Sequence, residues 1–201
     1  MSAKARGTIL WDFDGTLARM VRFAVLDVLD SAMLGHGRSA EEIGARLRAG
    51  YPWHTPEIPH PALNSPHAWW WHMESVFDRS LADLGLPETA AAALSVRVRE
   101  RIIDPAAYEV FADAEPALAR LRRAGWRHAI VSNRVPELYS VAQAAAQAPA
   151  LWMVCDSVLM DVVAAERVGL RGILVRAVDP RARRRAEDLG AAADLILTAR
   201  G

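Results

Sequence analysis

The sequence predicts an α/β fold, a doubly wound parallel sheet carrying a large helical insertion. Three observations lead there. Five short apolar runs lack the in-out alternation of half-exposed strands, as strands buried on both faces do. Helix-like segments separate the later runs, the pattern of a sheet wound on both sides. The stretch from Arg19 to Ala106 contains no comparable strand.

The runs are Thr8–Trp11, His128–Val131, Leu151–Val154, Gly172–Val175 and, more weakly, Leu195–Leu197. Between them, Pro116 to Ala124 reads as a helix with proline in its first turn and Gly125 just past its end. Pro136 to Ala148 reads as an Ala/Gln-rich helix stopped by Pro149, and a helix from about Met160 to Val168 ends at Gly169. Inside the insertion, Met20 to Met33 is apolar at helical spacing. Ser39 to Glu42 forms a capping box that opens a second helix. Ser65-Pro66 caps a third helix running to about Leu84, and Pro87 opens a fourth. Tyr51 to Pro66 holds five prolines and is a loop. Arg181 to Arg185 reads as a solvated helix face in preference to a nucleic-acid patch. The predicted domains are therefore a core of residues 1–18 and 107–201 and a helical domain of residues 19–106.

At 201 residues, 52% hydrophobic and 24% charged, the chain is long and apolar enough for a full core and is not disordered. Its formal net charge of +0 gives no global field toward nucleic acid or an anionic membrane. The basic residues are arginine throughout, apart from Lys4. The single cysteine, Cys155, excludes an internal disulfide and suits a reducing compartment. No apolar run approaches the roughly 20 residues that span a bilayer. The apolar stretch after Lys4 and Arg6 stops at Asp12, too soon for a signal peptide. The expectation is a cytoplasmic protein with neither nucleic-acid nor membrane partners.

Chemistry gathers where strands end. The first run leads into Asp12 and Asp14, the second into Ser132 and Asn133, and the third into Asp156 and Ser157, with Asp161 five residues on. Ligands of open parallel sheets bind beyond the carboxyl ends of the strands. Taken singly, Asp14-Gly15 is an ordinary turn, and Ser132-Asn133 and Asp156-Ser157 read equally well as helix caps or as site residues. Their shared position on separate strands shifts the reading toward a site. Clustered carboxylates cannot all stay ionised without a cation, and an oxygen-only ligand set with few protein donors suits Mg²⁺ better than Ca²⁺.

The stretch Ile9-Leu-Trp-Asp12-Phe-Asp14-Gly15-Thr16-Leu17 resembles the first motif of the haloacid dehalogenase-like hydrolase superfamily. Val131-Ser132-Asn133 resembles its second motif, and Asp156-Ser-Val-Leu-Met-Asp161 its acidic fourth. The helical insertion is similar to that superfamily's type 1 cap. The resemblance implies a phosphatase acting on a small phosphorylated metabolite. Asp12 would be the nucleophile, forming an aspartyl-phosphate, and Asp14 the general acid and then base. Mg²⁺ would be held by Asp12, the Asp14 carbonyl and Asp156. Ser132 and backbone N–H groups near Gly15 and Thr16 would bind phosphoryl oxygens, with Asn133 and Asp161 in support. A 2-haloacid dehalogenase, which uses an aspartate nucleophile without metal, is the second reading; that branch lacks the second aspartate present here as Asp14.

Two departures stand out. Members of the superfamily supply a lysine or arginine from a third motif, after an additional strand. Only 17 residues separate Asn133 from Leu151, whereas a full strand-helix-strand unit takes about 30. The third motif does not fit, Lys4 is remote, and Arg134 is the nearest substitute cation. A weak or inactive ligand-binding relative is therefore a third reading. The absent strand would also leave His128–Val131 as a hydrophobic sheet edge, which predicts self-association or coverage by a loop. The second departure is Cys155, where the superfamily has glycine; a side chain there threatens to crowd the backbone beside the ion. Cys155 itself reads as a small core residue, not a nucleophile. In the insertion, His67 and His72 are off the spacing that puts two ligands on one helical face. Trp69, Trp70 and Trp71 cannot all face one side.

Overall fold

A computed structural model describes residues 6–33, 36–48, 50–55, 58–132 and 150–199. Lys4, Asn133, Arg134 and the predicted helix Pro136–Ala148 lie outside the described residues. The chain forms two compact units, one of residues 1–19 and 110–201 and one of residues 20–109.

The first unit is a five-stranded sheet of β1 (Gly7–Trp11), β4 (Trp126–Ile130), β5 (Ala150–Cys155), β6 (Arg171–Val175) and β7 (Arg185–Ala186), in the order β4-β1-β5-β6-β7. Every pairing is parallel. Side chains alternate between two buried faces, which is why the strands read as unbroken apolar runs. On one face Ile9, Trp11, Trp152, Val154, Ile173 and Val175 pack against α5 (Ala114–Arg123) and α7 (Leu189–Thr198). On the other, Met153, Cys155 and Leu174 meet Val158 and Val162 of the segment that leads into α6 (Val163–Arg167), and Ala165 of that helix. The predicted doubly wound α/β architecture is present. The register of β1 against β4 is marked by Trp11, whose Nε1–H donates to His128 Nδ1 at 2.9 Å. Burial, with the Arg122 charge nearby, lowers the His128 pKa and keeps the ring a neutral acceptor.

The second unit holds α1 (Ala24–Ala32), α2 (Ala40–Arg48), α3 (Pro66–Asp83) and α4 (Glu88–Ile103). Ser65 Oγ accepts from Ala68 N–H, and Ser39 Oγ from Glu42 N–H, as the capping signals require. α3 packs on α4 and α1 also packs on α4. Of the three tryptophans, Trp70 is buried against the Arg99 guanidinium, and Trp71 is exposed. His72 Nε2 binds the Gly50 carbonyl at 2.8 Å, a structural use of that ring. A short two-stranded sheet of β2 (Ala18–Met20) and β3 (Tyr108–Val110) forms where the chain passes between the units.

Four expectations need correction. Leu195–Leu197 is not a strand but the last part of α7. Asp188 caps that helix by accepting from Ala191 N–H, and Leu189, Ala192, Ala193 and Ile196 bury one helical stripe. A three-residue apolar run cannot distinguish the two periods. Arg181–Arg185 is not a helix face but a turn leading into β7. Asp179 fixes that turn by accepting from the Arg181 backbone N–H at 2.9 Å and from its guanidinium. The helix expected over Met20–Met33 begins only at Ala24, because Met20 ends β2, Val21 N–H donates to Ala107 O and Phe23, with ψ 120°, is not helical. The helix expected from Met160 is preceded by a wider turn, described next. No described helix is long and apolar enough to cross a membrane.

Candidate active site

Three adjacent strands deliver the site. The register pairs Trp11 with Ile130 on one side and Val154 on the other, so β4, β1 and β5 end together. Asp12 follows β1 with its N–H donating to Val154 O at 2.9 Å, and Val131 N–H donates to Trp11 O at 2.8 Å. Ser132 therefore stands beyond β4, Asp12 beyond β1 and Asp156 beyond β5, at the carboxyl ends of three neighbouring strands. Asn133 and Arg134 lie outside the described residues.

Asp12 opens a tight loop. The Phe13 carbonyl accepts from Leu17 and Ala18 N–H at 3.0 Å, and from Thr16 N–H at 3.4 Å. Gly15 has φ +72°, where an L side chain is strained, and a Cβ there would stand 2.0 Å from Asp156 Oδ2. Glycine is thus required twice over. The Gly15 N–H donates to Ala18 O at 2.8 Å, which closes the loop on itself. The Thr16 hydroxyl donates to Asp12 Oδ2 at 3.3 Å.

Asp161 reaches the same place by an unusual turn. Residues five apart on an α-helix diverge by about 140°. Here a single π turn over Val158–Val162 lets Val162 N–H donate to Ser157 O at 3.2 Å and Val163 N–H to Val158 O. The wider turn brings residue 161 back over residue 156. Ser157 caps it by accepting from Met160 N–H. Carboxylate oxygens of Asp12, Asp156 and Asp161 consequently lie within 4.8 Å of one another. The Asp14 carboxylate is not part of this group of three, although its charge acts on Asp12 and Asp156.

The electrostatics follow from that crowding. Burial, then the charges of Asp161, Asp156 and Asp14, push the Asp12 carboxyl up to about 7. Burial and Asp156 push Asp161 up to about 6, and burial and Asp14 raise Asp156. A hard cation relieves all three at once, and the donors are oxygen throughout, the chemistry Mg²⁺ prefers. Cys155 does not obstruct the site. Its side chain is fully buried among Met153, Val158, Val162 and Leu174, and burial beside the carboxylates holds the thiol well above its ordinary pKa. It packs as a core residue.

Residues 7–186 match the haloacid dehalogenase-like hydrolase family. The chain belongs to that family. Solved structures share the fold over nearly the whole chain. The magnesium-bound HAD-hydrolase YfnB from Bacillus subtilis superposes with a TM-score of 0.66 at 12% identity, covering 96% of this chain and 100% of that one. The L-2-haloacid dehalogenase from Xanthobacter autotrophicus, with chloropropionic acid covalently bound, gives 0.61 at 16% identity, covering 96% and 99%. A HAD phosphatase from Thermococcus onnurineus gives 0.52 at 18% identity, covering 94% and 97%. No curated protein matches the sequence. At such identities the likeness concerns the fold, and the hydrolase family membership rests on the family match over residues 7–186.

Arg176, beyond β6, is absent from the residues the sequence singles out. The signal for it is the same one that marks the others, a polar residue directly after a buried apolar strand.

Proposed function

We propose that this hydrolase is a Mg²⁺-dependent phosphatase of small phosphorylated metabolites that works through an aspartyl-phosphate on Asp12. The observation that carries the reading is the convergence of Asp12, Asp156 and Asp161, with a second aspartate, Asp14, two residues past the first. The magnesium-bound and phosphatase neighbours support it; the dehalogenase neighbours favour the second reading, which Asp14 opposes.

Asp12 attacks phosphorus as the bond to the ester oxygen breaks, and Asp14 gives its proton to the departing alkoxide. Asp14 then takes a proton from water, whose oxygen attacks phosphorus and expels the Asp12 carboxylate with release of inorganic phosphate. The Thr16 hydroxyl donates to Asp12 Oδ2 and helps to orient the nucleophilic carboxylate. Ser132 binds phosphoryl oxygens, with Asn133 in support. A Mg²⁺ held by Asp12, Asp156, Asp161 and the Asp14 carbonyl would neutralise the carboxylates and offset the charge of the phosphoryl group.

The chain's single lysine, Lys4, lies far in sequence from the position of the third-motif cation. A missing charge contact of that kind costs a few kcal/mol, about 10²–10³ in rate. Turnover below about 1 s⁻¹ is expected, and Arg134→Ala tests whether that residue supplies part of the charge. The deciding assay is hydrolysis of p-nitrophenyl phosphate with Mg²⁺ and with EDTA, beside halide release from 2-chloropropionate. Slow phosphate release that needs Mg²⁺ and vanishes in Asp12→Asn is the expected result. Metal-independent halide release would make the protein a dehalogenase. Tight binding of a phosphate analogue without turnover of any ester would make it a binding protein on a hydrolase scaffold.

A further inference from the structure

The carboxyl end of β6 carries a residue to which the chemistry above assigns no role. Arg176 directly follows Val175 and has φ +57°, and it is the one non-glycine residue at positive φ among the described residues. L side chains avoid that region, and a long one kept there is held by its surroundings. Its guanidinium is gripped on three sides. The Nη2 group donates to Asp113 Oδ1 at 2.5 Å, Nε donates to the Thr16 carbonyl at 3.4 Å, and its central carbon stands 4.0 Å from the Phe111 ring centroid. The second oxygen of Asp113 accepts from Leu189 N–H at 2.8 Å, at the start of α7. That bond and Arg176 hold the Asp113 carboxyl below its ordinary pKa, despite partial burial.

These contacts end on the catalytic loop. Arg176 takes the Thr16 carbonyl, and Phe111 N–H donates to the neighbouring Leu17 carbonyl at 3.0 Å. Two consecutive carbonyls of the loop that carries Asp14 are therefore tied to the segment around Phe111. The hydroxyl of the same Thr16 donates to Asp12. Resting on the phosphatase reading, we propose that Arg176 is a positioning residue: clamped by Asp113 and Phe111, it fixes the Thr16 carbonyl and with it the placement of Asp14 and the Thr16 hydroxyl about Asp12. The role asks for a planar group with donors on separate nitrogens and a face to stack, which lysine lacks.

Two variants separate the guanidinium from the backbone. Arg176→Gly removes the side chain and relieves the left-handed backbone, whereas Arg176→Lys keeps the charge and the stem. Hydrogen exchange in the intact chain reads the loop directly, through the Gly15, Leu17 and Ala18 amides that its internal bonds protect. Both variants are expected to exchange at least tenfold faster at those amides, with the β5 amides Trp152 to Val154 unchanged. The clamp has a kinetic signature as well. The alkoxide of an alkyl phosphate needs the proton of a well-placed Asp14, and p-nitrophenolate does not. The kcat for an alkyl phosphate should therefore fall at least tenfold more than for p-nitrophenyl phosphate, with KM for both held within about twofold. Loop exchange within twofold of wild type in both variants overturns the proposal. So does a loss of protection that extends equally to β5, which would mark a general structural role. If wild-type protein hydrolyses neither ester, the phosphatase reading fails, and the exchange result still decides whether Arg176 fixes the loop.

Discussion

Two groups of aspartates in this chain are treated in opposite ways. In the helical unit, Asp27 binds Arg101 Nε at 2.6 Å and Asp104 binds the same guanidinium at 3.0 Å. Asp30 lies between Arg22 and His36. At the carboxyl ends of β1 and β5, Asp12, Asp156 and Asp161 crowd together, and no arginine or lysine pairs with them among the described residues. The chain has as many basic as acidic side chains, 24 of each. The difference is one of arrangement, not supply. Acids answered by a cation in the fold serve structure; acids left to repel one another hold a charge deficit that a ligand can fill, at a cost in stability until it does.

The sharpest break of this contrast is Asp12→Asn. It should lower any phosphatase rate by at least about 10³, because an amide is a poor nucleophile. The same variant should melt higher than wild type in EDTA at neutral pH, since it removes a buried charge from a repelling cluster. Asp27→Asn should do the reverse, lowering the melting temperature and leaving turnover unchanged. Asp156→Ala should weaken Mg²⁺ binding at least about tenfold; an unaltered Mg²⁺ titration would reduce Asp156 to a capping residue.

Acidity gives a gentler test. Asp12 and Asp161 have folded pKa values above the ordinary 3.8, so the folded state binds these protons more tightly than the unfolded state. Their contribution to stability is therefore greatest at low pH. It is lost as pH rises from about 4, through about 6 for Asp161 and about 7 for Asp12. Melting curves in EDTA should show a decline in stability over that interval that the double variant Asp12→Asn, Asp161→Asn lacks. Saturating Mg²⁺ should restore wild-type stability above pH 7. Equal pH dependence in the two proteins would show that the cluster is not strained. The smallest effect is expected from Thr16→Val, which removes one hydrogen bond to Asp12 and should raise the Asp12 pKa further, seen as an upward shift of the acid limb of the rate profile.

How far the sequence reveals this arrangement depends on the element. Asp12, Ser132 and Asp156 were legible because each ends an apolar run too continuous for a half-exposed strand, and a parallel sheet aligns such ends. The clustering of Asp161 was only half legible. Five residues is the wrong interval for an α-helix, and the π turn that corrects it depends on packing of Val158 and Val162 under β5 and β6, which no local pattern records. Leu195–Leu197 and Arg181–Arg185 are not legible in the sequence, because three or five residues carry too little periodicity to fix a structure. There a cap at Asp188 and a turn at Asp179 decide it. Arg176 shows the opposite failure: the rule that found the other residues applied to it, but its role comes from Asp113 and Phe111, more than 60 positions away.

Calorimetric titration of Mg²⁺ in buffers of different ionisation enthalpy shows whether Asp12, Asp156 and Asp161 form one strained cation site. At a pH near 6.5, Asp12 and Asp161 are partly protonated in the metal-free protein, so binding should release protons, in total up to about one per site. That release should fade above pH 8, where the carboxylates are already ionised, and disappear in the Asp12→Asn, Asp161→Asn variant. A single Mg²⁺ site with this pH-dependent proton release is the predicted result. Titrations showing no saturable Mg²⁺ binding, or binding with no proton release at any pH, would mean that the three carboxylates do not form such a site.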